Sequence, residues 1–189
     1  MLEQPNEGSC DGLEMMAEHT MMIFIIVALS ALTVTLPQPI CRPPWHGAVS
    51  IVNYLSTNLY VRSVSVEDGP LHILPANEGR YNETWRPTVN STGVSIKIAT
   101  SMDMTDVLQF EYSAIDPTIY WDVSCINLSD GSRLIAEGFT AIASDKNCQP
   151  VVCDRDDDNC PDVYHEPDDN YAIRGCPINT TIVMQIGSP

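Results

Sequence analysis

Apolar and polar residues alternate along most of the chain after residue 47, with the period of two that is typical of β-strands. In residues 94–98, for example, Val94, Ile96 and Ile98 alternate with two polar residues. Other segments are rich in β-branched and aromatic residues, which favour strands. The pattern predicts strands at residues 48–53, 59–66, 94–98, 107–113, 119–125 and 180–186.

Turn-forming residues separate the predicted strands. Two examples are the Asp-Gly-Pro tripeptide at 68–70 and the Ser-Asp-Gly tripeptide at 129–131. Short strands at this spacing, without long segments of helical period, predict an all-β sandwich. The polar stretch 144–159 is predicted to be a long loop.

The N-terminal region has a different composition. Residues 21–36 form an uninterrupted run of low polarity, which is shorter than the roughly 20 apolar residues of a membrane span. We interpret residues 21–40 as a secretory signal peptide, in preference to a membrane anchor or a core helix. Residues 1–20 are acidic and lack Lys and Arg, whereas a signal begins with positive charge, so we interpret them as a leader produced by an incorrectly assigned start site. Residues 47–189 then form a single domain.

Two further features of the sequence are typical of exported proteins. Four Asn-x-Ser/Thr sequons are acceptors for N-linked glycans in a eukaryotic secretory pathway, and they begin at Asn82, Asn90, Asn127 and Asn179. Four cysteines lie in the last quarter of the chain, as a disulfide framework would, and these are Cys148, Cys153, Cys160 and Cys176. We therefore expect a secreted, extracellular or cell-wall glycoprotein.

The charge of the chain excludes several classes of partner. Nine basic residues stand against 25 acidic ones, which gives a formal net charge of −16. A surface this acidic repels phosphate groups, so we expect no binding to nucleic acid or, after removal of the signal, to membranes. The histidines lack metal-ligand spacing and no phosphate-binding loop is visible. We expect a monomer without metal or cofactor.

Two acidic residues are predicted to face each other. If residues 107–113 and 119–125 form a hairpin centred between residues 116 and 117, then Glu111 lies opposite Asp122, while Phe110 and Val123 fill the other face. Side chains in such positions have Cβ atoms about 5 Å apart, close enough to raise the pKa of one carboxyl or to share a cation or a sugar hydroxyl. The alternative is a solvated polar face on an acidic protein.

The sequence also resembles a known family. The segment from Cys160 to Cys176, with Cys-Pro-Asp-Val-Tyr at its start and an Asp-Asp pair within it, is similar to the C-terminal signature of thaumatin-like proteins. Residues 119–124 (Ile-Tyr-Trp-Asp-Val-Ser) resemble a strand of that family, and residues 47–53 resemble its first strand. The similarity is greatest to the short fungal branch, the Blastomyces yeast-phase-specific proteins. It implies a thaumatin-like antiparallel β-sandwich with a C-terminal loop region held by disulfides.

The resemblance implies a disulfide connectivity that the spacing alone leaves open. It pairs Cys148 with Cys176 and Cys153 with Cys160, whereas the sequence alone also allows Cys148–Cys153 with Cys160–Cys176. The family's bridge between the first strand and the C-terminus is missing, since the corresponding positions are Leu55 and Gly187. Cys125 lies on the same strand face as Trp121 and Val123, and we interpret it as a buried free thiol. The roles of Cys10 and Cys41 stay open.

The resemblance further implies an acidic cleft associated with β-1,3-glucan. Its residues would be Glu111, Asp122, Asp168, Asp169 and, as the basic member, Lys97. A carboxylate of the family pattern is replaced by Asn127, which argues against efficient catalysis. We expect a non-catalytic protein that binds β-1,3-glucan or another cell-wall or host target. The alternatives are a weak endo-β-1,3-glucanase with Glu111 as proton donor, and an inhibitor or antigen-like partner of another secreted protein.

Overall fold

The computed structural model describes residues 47–88 and 92–188. The predicted leader and signal peptide, Cys10, Cys41 and the sequon at Asn90 lie outside these residues. The described chain forms eleven strands and one short helix. They are β1 (Ala48–Asn53), β2 (Leu59–Val64), β3 (His72–Leu74), β4 (Gly79–Thr84), β5 (Val94–Ala99), β6 (Val107–Ile115), β7 (Thr118–Asn127), α1 (Arg133–Glu137), β8 (Phe139–Ala143), β9 (Val151–Cys153), β10 (Arg174–Pro177) and β11 (Thr181–Ile186).

All six predicted strands are confirmed, as β1, β2, β5, β6, β7 and β11. The sequence analysis missed β3, β4, β8, β9 and β10. The interpretation of 144–159 as one loop was wrong, because β9 lies within it and pairs with β8. β3, β9 and β10 are three or four residues long, and β3, β4, β9 and β10 lie at sheet edges. Such strands are formed by pairing with a neighbour rather than by their own pattern.

The strands form two sheets. One has five strands in the order β4-β1-β11-β8-β9 and the other has six in the order β10-β7-β6-β5-β2-β3. The named strand pairs are antiparallel except β1 with β11, which run parallel with Ala48 opposite Thr181. The predicted antiparallel all-β sandwich is confirmed, with this one parallel pair joining the first and last described strands.

Large aromatic side chains fill the core between the sheets. Phe110 stacks on Trp121 with ring centroids 5.6 Å apart, and Trp85 lies 4.8 Å from Tyr112. The indole of Trp85 donates a hydrogen bond of 3.0 Å to the carbonyl of Thr180, so its polar atom is satisfied inside the core. Every second side chain along a strand thus points into the core, and the intervening side chains lie on the outer faces of the sheets.

The C-terminal region is cross-linked by two disulfides, Cys148–Cys176 and Cys153–Cys160, with Cα–Cα distances of 5.8 and 5.4 Å. Cys125 is buried and has no disulfide partner among the described residues. The described part of the chain contains no helix of the length and hydrophobicity that a membrane span requires.

Leu55 and Gly187, the positions of the missing family bridge, are neighbours in the structure. They follow β1 and β11, whose ends are joined by a 2.9 Å hydrogen bond from the amide of Tyr54 to the carbonyl of Ile186. The side chain of Leu55 is buried there. An apolar contact therefore stands where the family pattern has a covalent link.

Candidate functional site

An open groove of about 700 Å³ lies on the outer face of the six-stranded sheet. Its floor consists of outward-facing residues of β5, β6 and β7, which alternate with the core residues of the same strands. The polar side chains of this floor are those of Ser95, Lys97, Gln109, Glu111, Ser113, Tyr120 and Asp122. Three neighbouring strands therefore bring acidic, basic and amide groups to one surface.

Glu111 lies directly opposite Asp122 in the ladder between β6 and β7. The next pair, Phe110 and Val123, is fully buried on the core side. This is the register predicted from the sequence. It is stable because a shift of β7 by one residue would turn Asp122 into the core and expose Val123.

Asp122 has an unusual environment for a carboxyl group. Burial, and then the negative charge of Glu111, raise its pKa to about 7, while the positive charge of Arg174 opposes the rise. Its Oδ1 atom is inaccessible to solvent and has no hydrogen-bond partner among the described residues. The group therefore holds a proton over part of the acidic range and exchanges it near neutral pH.

Arg174, on the edge strand β10, acts on Asp122 through its positive charge. This residue was not identified in the sequence analysis. Its guanidinium lies 5.3 Å from the ring centre of Trp121 and 3.5 Å from a carboxylate oxygen of Asp162. It also donates hydrogen bonds of 3.1 Å to the carbonyls of Gln149 and Pro150. Because its side chain is only 9% exposed, Arg174 fixes the surrounding loop and is not free to meet a ligand.

Lys97 is the half-buried cation that lines the groove. It lies opposite Gln109 in the β5–β6 ladder and also lines an adjoining cavity of about 230 Å³. The amide of Gln109 accepts a hydrogen bond of 3.2 Å from Ser95 and donates one of 3.1 Å to Asn127. A row of neutral polar groups therefore runs beside the acidic pair towards Asn127.

An apolar surface forms the other end of the groove. Tyr120, 41% exposed, lines it together with Ile115 and Ile173. The ring of Tyr120 lies over β10 at Gly175, where an added Cβ would be 3.5 Å from the ring. The alternation in β7 places Tyr120 on the same face as Asp122, so the sequence pattern contained this residue although it was not singled out.

Asp168 and Asp169, which the resemblance groups with the acidic pair, do not line the groove. The carboxylate of Asp169 accepts hydrogen bonds of 2.9 Å from the backbone amides of His165 and Glu166. These bonds lower the pKa of Asp169. Its role in the structure is to stabilise this loop, and Asp168 is exposed in the same loop.

A further carboxylate, Glu83, is held beside the core by tyrosines. It accepts hydrogen bonds of 2.8 Å from Tyr81 and 2.6 Å from Tyr112, and Arg86 lies 3.4 Å away. Burial and the interaction with Glu83 raise the pKa of Tyr81 to about 12. With its bonding capacity taken up in this way, Glu83 is a structural group.

The sequons of the described residues lie in three different places. Asn82 is exposed on β4 of the five-stranded sheet, Asn179 is exposed between β10 and β11, and Asn127 is exposed at the end of β7. Only Asn127 lines a cavity on the face of the groove. Within the same residues, no group of three or more His, Cys, Asp or Glu side chains is arranged to hold a metal ion.

Comparisons with known proteins identify the family. The sequence model described as Blastomyces yeast-phase-specific protein matches residues 45–188. A secreted thaumatin-like protein of Emericella nidulans, calA, is 40% identical over 142 residues, which cover 75% of this chain and 82% of the relative. An antigenic thaumatin-like protein of Arthroderma benhamiae is 31% identical over 157 residues, which cover 83% of this chain and 78% of the relative.

A solved structure has the same fold. The protein elicitor MoHrip2 from Magnaporthe oryzae superposes with a TM-score of 0.62 at 20% identity, over 75% of this chain and 99% of the elicitor. The Emericella relative is named as a secreted protein. The present chain is also secreted, and its two disulfides are cross-links typical of an oxidising compartment. The chain belongs to the Blastomyces yeast-phase-specific protein family, a fungal branch of the thaumatin-like proteins.

Proposed function

We propose that this secreted thaumatin-like protein binds β-1,3-glucan, or a similar cell-wall polysaccharide, in the groove of the six-stranded sheet without cleaving it. The observation that carries the proposal is the direct pairing of Glu111 with Asp122 on the floor of an open groove. Carboxyl groups in adjacent positions accept hydrogen bonds from neighbouring sugar hydroxyls, and the raised pKa of Asp122 also allows that group to donate one.

The other lining residues supply the remaining contacts of a sugar site. The exposed ring of Tyr120 offers a flat apolar surface for one side of a ligand, and Lys97 and Gln109 add polar groups on the adjacent strands. The groove and the adjoining cavity together extend along β6 from Ile115 to Val107. Nine extended residues span roughly 27 Å, a length suited to a chain of several sugar units.

Binding without cleavage is favoured by what surrounds the acidic pair. Asn127 stands where the family pattern has another carboxylate. Arg174, whose charge acts on Asp122, is engaged with backbone carbonyls and with Asp162, so it is not free to contact a bound sugar. The groove thus offers groups that recognise hydroxyls and few that act only on a transition state.

Retention on insoluble β-1,3-glucan tests this proposal. The wild-type protein should be retained, and the double variant Glu111→Gln/Asp122→Asn should be lost from the pellet. The matched control is Asp158→Asn/Asp168→Asn, which replaces the same number of carboxyl groups at exposed residues outside the groove. Absence of wild-type retention would contradict glucan binding, and would favour the alternative of a protein partner.

A weak endo-β-1,3-glucanase is the second candidate, and one observation favours it. Asp122, with a pKa raised to about 7, is suited to act as a proton donor beside the carboxylate of Glu111. This assignment differs from the sequence analysis, which expected Glu111 to be the proton donor. Two carboxyl groups about 5 Å apart would suit a retaining mechanism. Release of reducing ends from laminarin by the wild type, and its loss in Asp122→Asn, would support hydrolysis. No release at high protein concentration would exclude it.

A further inference from the structure

Asn127 connects a glycosylation motif to the groove. It ends β7, is exposed, and begins the sequon Asn127-Leu128-Ser129. The cavity that it lines is shared with Lys97 and Val64, both of which also line the main groove. A group attached to Asn127 therefore starts at the Lys97 end of the groove.

The amide of Asn127 is held in one orientation. Its Oδ1 accepts a 3.1 Å hydrogen bond from Nε2 of Gln109, a buried residue of β6. Its Nδ2, the atom to which an N-linked glycan is attached, has no hydrogen-bond partner in the described part of the chain. Attachment of a sugar at Nδ2 is therefore compatible with the bond that fixes the side chain.

The backbone of the sequon is also fixed. The amide of Leu128 donates a 2.9 Å hydrogen bond to the carbonyl of Cys125, and the amide of Ser129 donates a 2.7 Å bond to Asp106. The first sugar would thus be attached to an ordered turn at the end of a strand, so its position relative to Lys97 would be defined.

We infer that an N-linked glycan on Asn127 covers the Lys97 end of the groove and limits the access of polysaccharide to it. Asn82 provides the contrast within the same chain. It lies opposite Ser50 on the outward side of the other sheet, so a glycan at Asn82 leaves the groove open. The effect on polysaccharide rests on the proposed function, whereas the covering of Lys97 does not.

The lysine content of the chain allows the covering to be measured directly. Lys97 and Lys146 are the only lysines in the sequence, and Lys146 is exposed in the loop between β8 and β9. After brief acetylation of the native glycoprotein secreted by a yeast host, peptide mass spectrometry gives the ratio of Lys97 to Lys146 modification. The same digest gives the occupancy of each sequon.

Two substitutions at one position separate the glycan from the side chain. Ser129→Ala removes the sequon and the 2.9 Å hydrogen bond from the Ser129 hydroxyl to Asp106 but keeps Asn127, while Ser129→Thr keeps both the sequon and a hydroxyl group. We expect the Lys97/Lys146 ratio to rise several-fold in Ser129→Ala, and to stay at the wild-type value in Ser129→Thr and in Asn82→Gln. Trimming of the glycans on the folded wild type with an endoglycosidase, which leaves one N-acetylglucosamine on Asn127 and does not convert it to Asp, should raise the ratio without any substitution.

An unoccupied Asn127, or an unchanged Lys97/Lys146 ratio after removal of its glycan, would overturn the inference. Increased retention of Ser129→Ala on insoluble β-1,3-glucan would support both the inference and the proposed function. If Lys97 becomes more reactive while neither glycosylated nor unglycosylated protein binds glucan, the covering is supported and the proposed function fails.

Discussion

Asp122 lies directly opposite Glu111 in the β6–β7 ladder, and its burial together with that neighbouring charge raises its pKa to about 7. An unfolded chain releases the same proton near pH 4. Between these two values the folded protein binds a proton that the unfolded chain has lost, so folding becomes less favourable as the pH rises through this interval.

Asp122→Asn should therefore stabilise the protein more at pH 8 than at pH 4.5. The neutral amide does not ionise, so the penalty that develops between about pH 4 and pH 7 disappears. We expect the stabilisation at pH 8 to exceed that at pH 4.5 by about 2 kcal/mol. This is less than the free energy equivalent to the full pKa shift, because solvent partly screens the group. Urea unfolding of both proteins at the two pH values measures it. Equal effects at both would contradict the assignment, and Asp168→Asn serves as the control.

Arg174→Met should destabilise the protein by about 2–4 kcal/mol. It removes the donors to the carbonyls of Gln149 and Pro150 and leaves Asp162 without its ion pair. Arg174→Lys keeps the charge but not the forked geometry of the guanidinium. Its free energy of unfolding should therefore lie between those of the wild type and Arg174→Met. Chemical denaturation gives the free energies of unfolding.

A second measurement on Arg174→Met distinguishes an electrostatic role from a purely structural one. Because the charge of Arg174 opposes the rise in the pKa of Asp122, its removal should raise that pKa further, whereas Arg174→Lys should preserve it. Carboxyl-carbon NMR titration follows the group directly. A pKa of Asp122 that is the same in all three proteins would show that Arg174 acts only through packing and hydrogen bonds.

Gly187→Ala should cost about 1–3 kcal/mol for two separable reasons. Gly187 has φ of +77°, which is unfavourable for alanine, and an added Cβ would lie 2.7 Å from Cδ2 of Leu55. In a Leu55→Ala background the steric part should vanish while the conformational part remains, so the two substitutions should not be additive. Gly175→Ala is the control, since its nearest contact is 3.5 Å. Additive free energies of unfolding would contradict the predicted contact.

The two disulfides should contribute unequally to stability. Their sequence separations are 28 residues for Cys148–Cys176 and 7 for Cys153–Cys160, and the chain-entropy relation gives about 3–4 and 2–3 kcal/mol respectively. Replacing each pair by alanine and measuring denaturant unfolding compares them. A larger loss for the shorter loop would mean that local packing, rather than loop closure, determines their contribution.

Part of the fold could be predicted because it is encoded locally. β5, β6 and β7 have one apolar face and one polar face, so their alternation identified them, and the short connection between β6 and β7 limited their register. β4 could not be identified in this way. Its inward side chains include Tyr81 and Glu83, whose polar atoms are satisfied only when Tyr112 and Arg86 lie beside them.

Asp169 and Arg174 show where prediction of the site ended. The sequence motif contains Asp169, but its carboxylate is turned to backbone amides four and three residues earlier in the chain. Arg174 carried no distinguishing pattern, because its partners Gln149, Pro150 and Asp162 lie in other parts of the chain.

The sequence by itself determined the class of fold, the main strands, the family and the opposition of Glu111 to Asp122, since these depend on neighbours along one hairpin and on the alternation of side chains. The tertiary structure alone decided that β1 and β11 run parallel, that Tyr120 and Lys97 share a groove with the acidic pair, and that the pKa of Asp122 is raised. Burial and long-range pairing depend on groups brought together from distant parts of the chain, and no local pattern of residues encodes them.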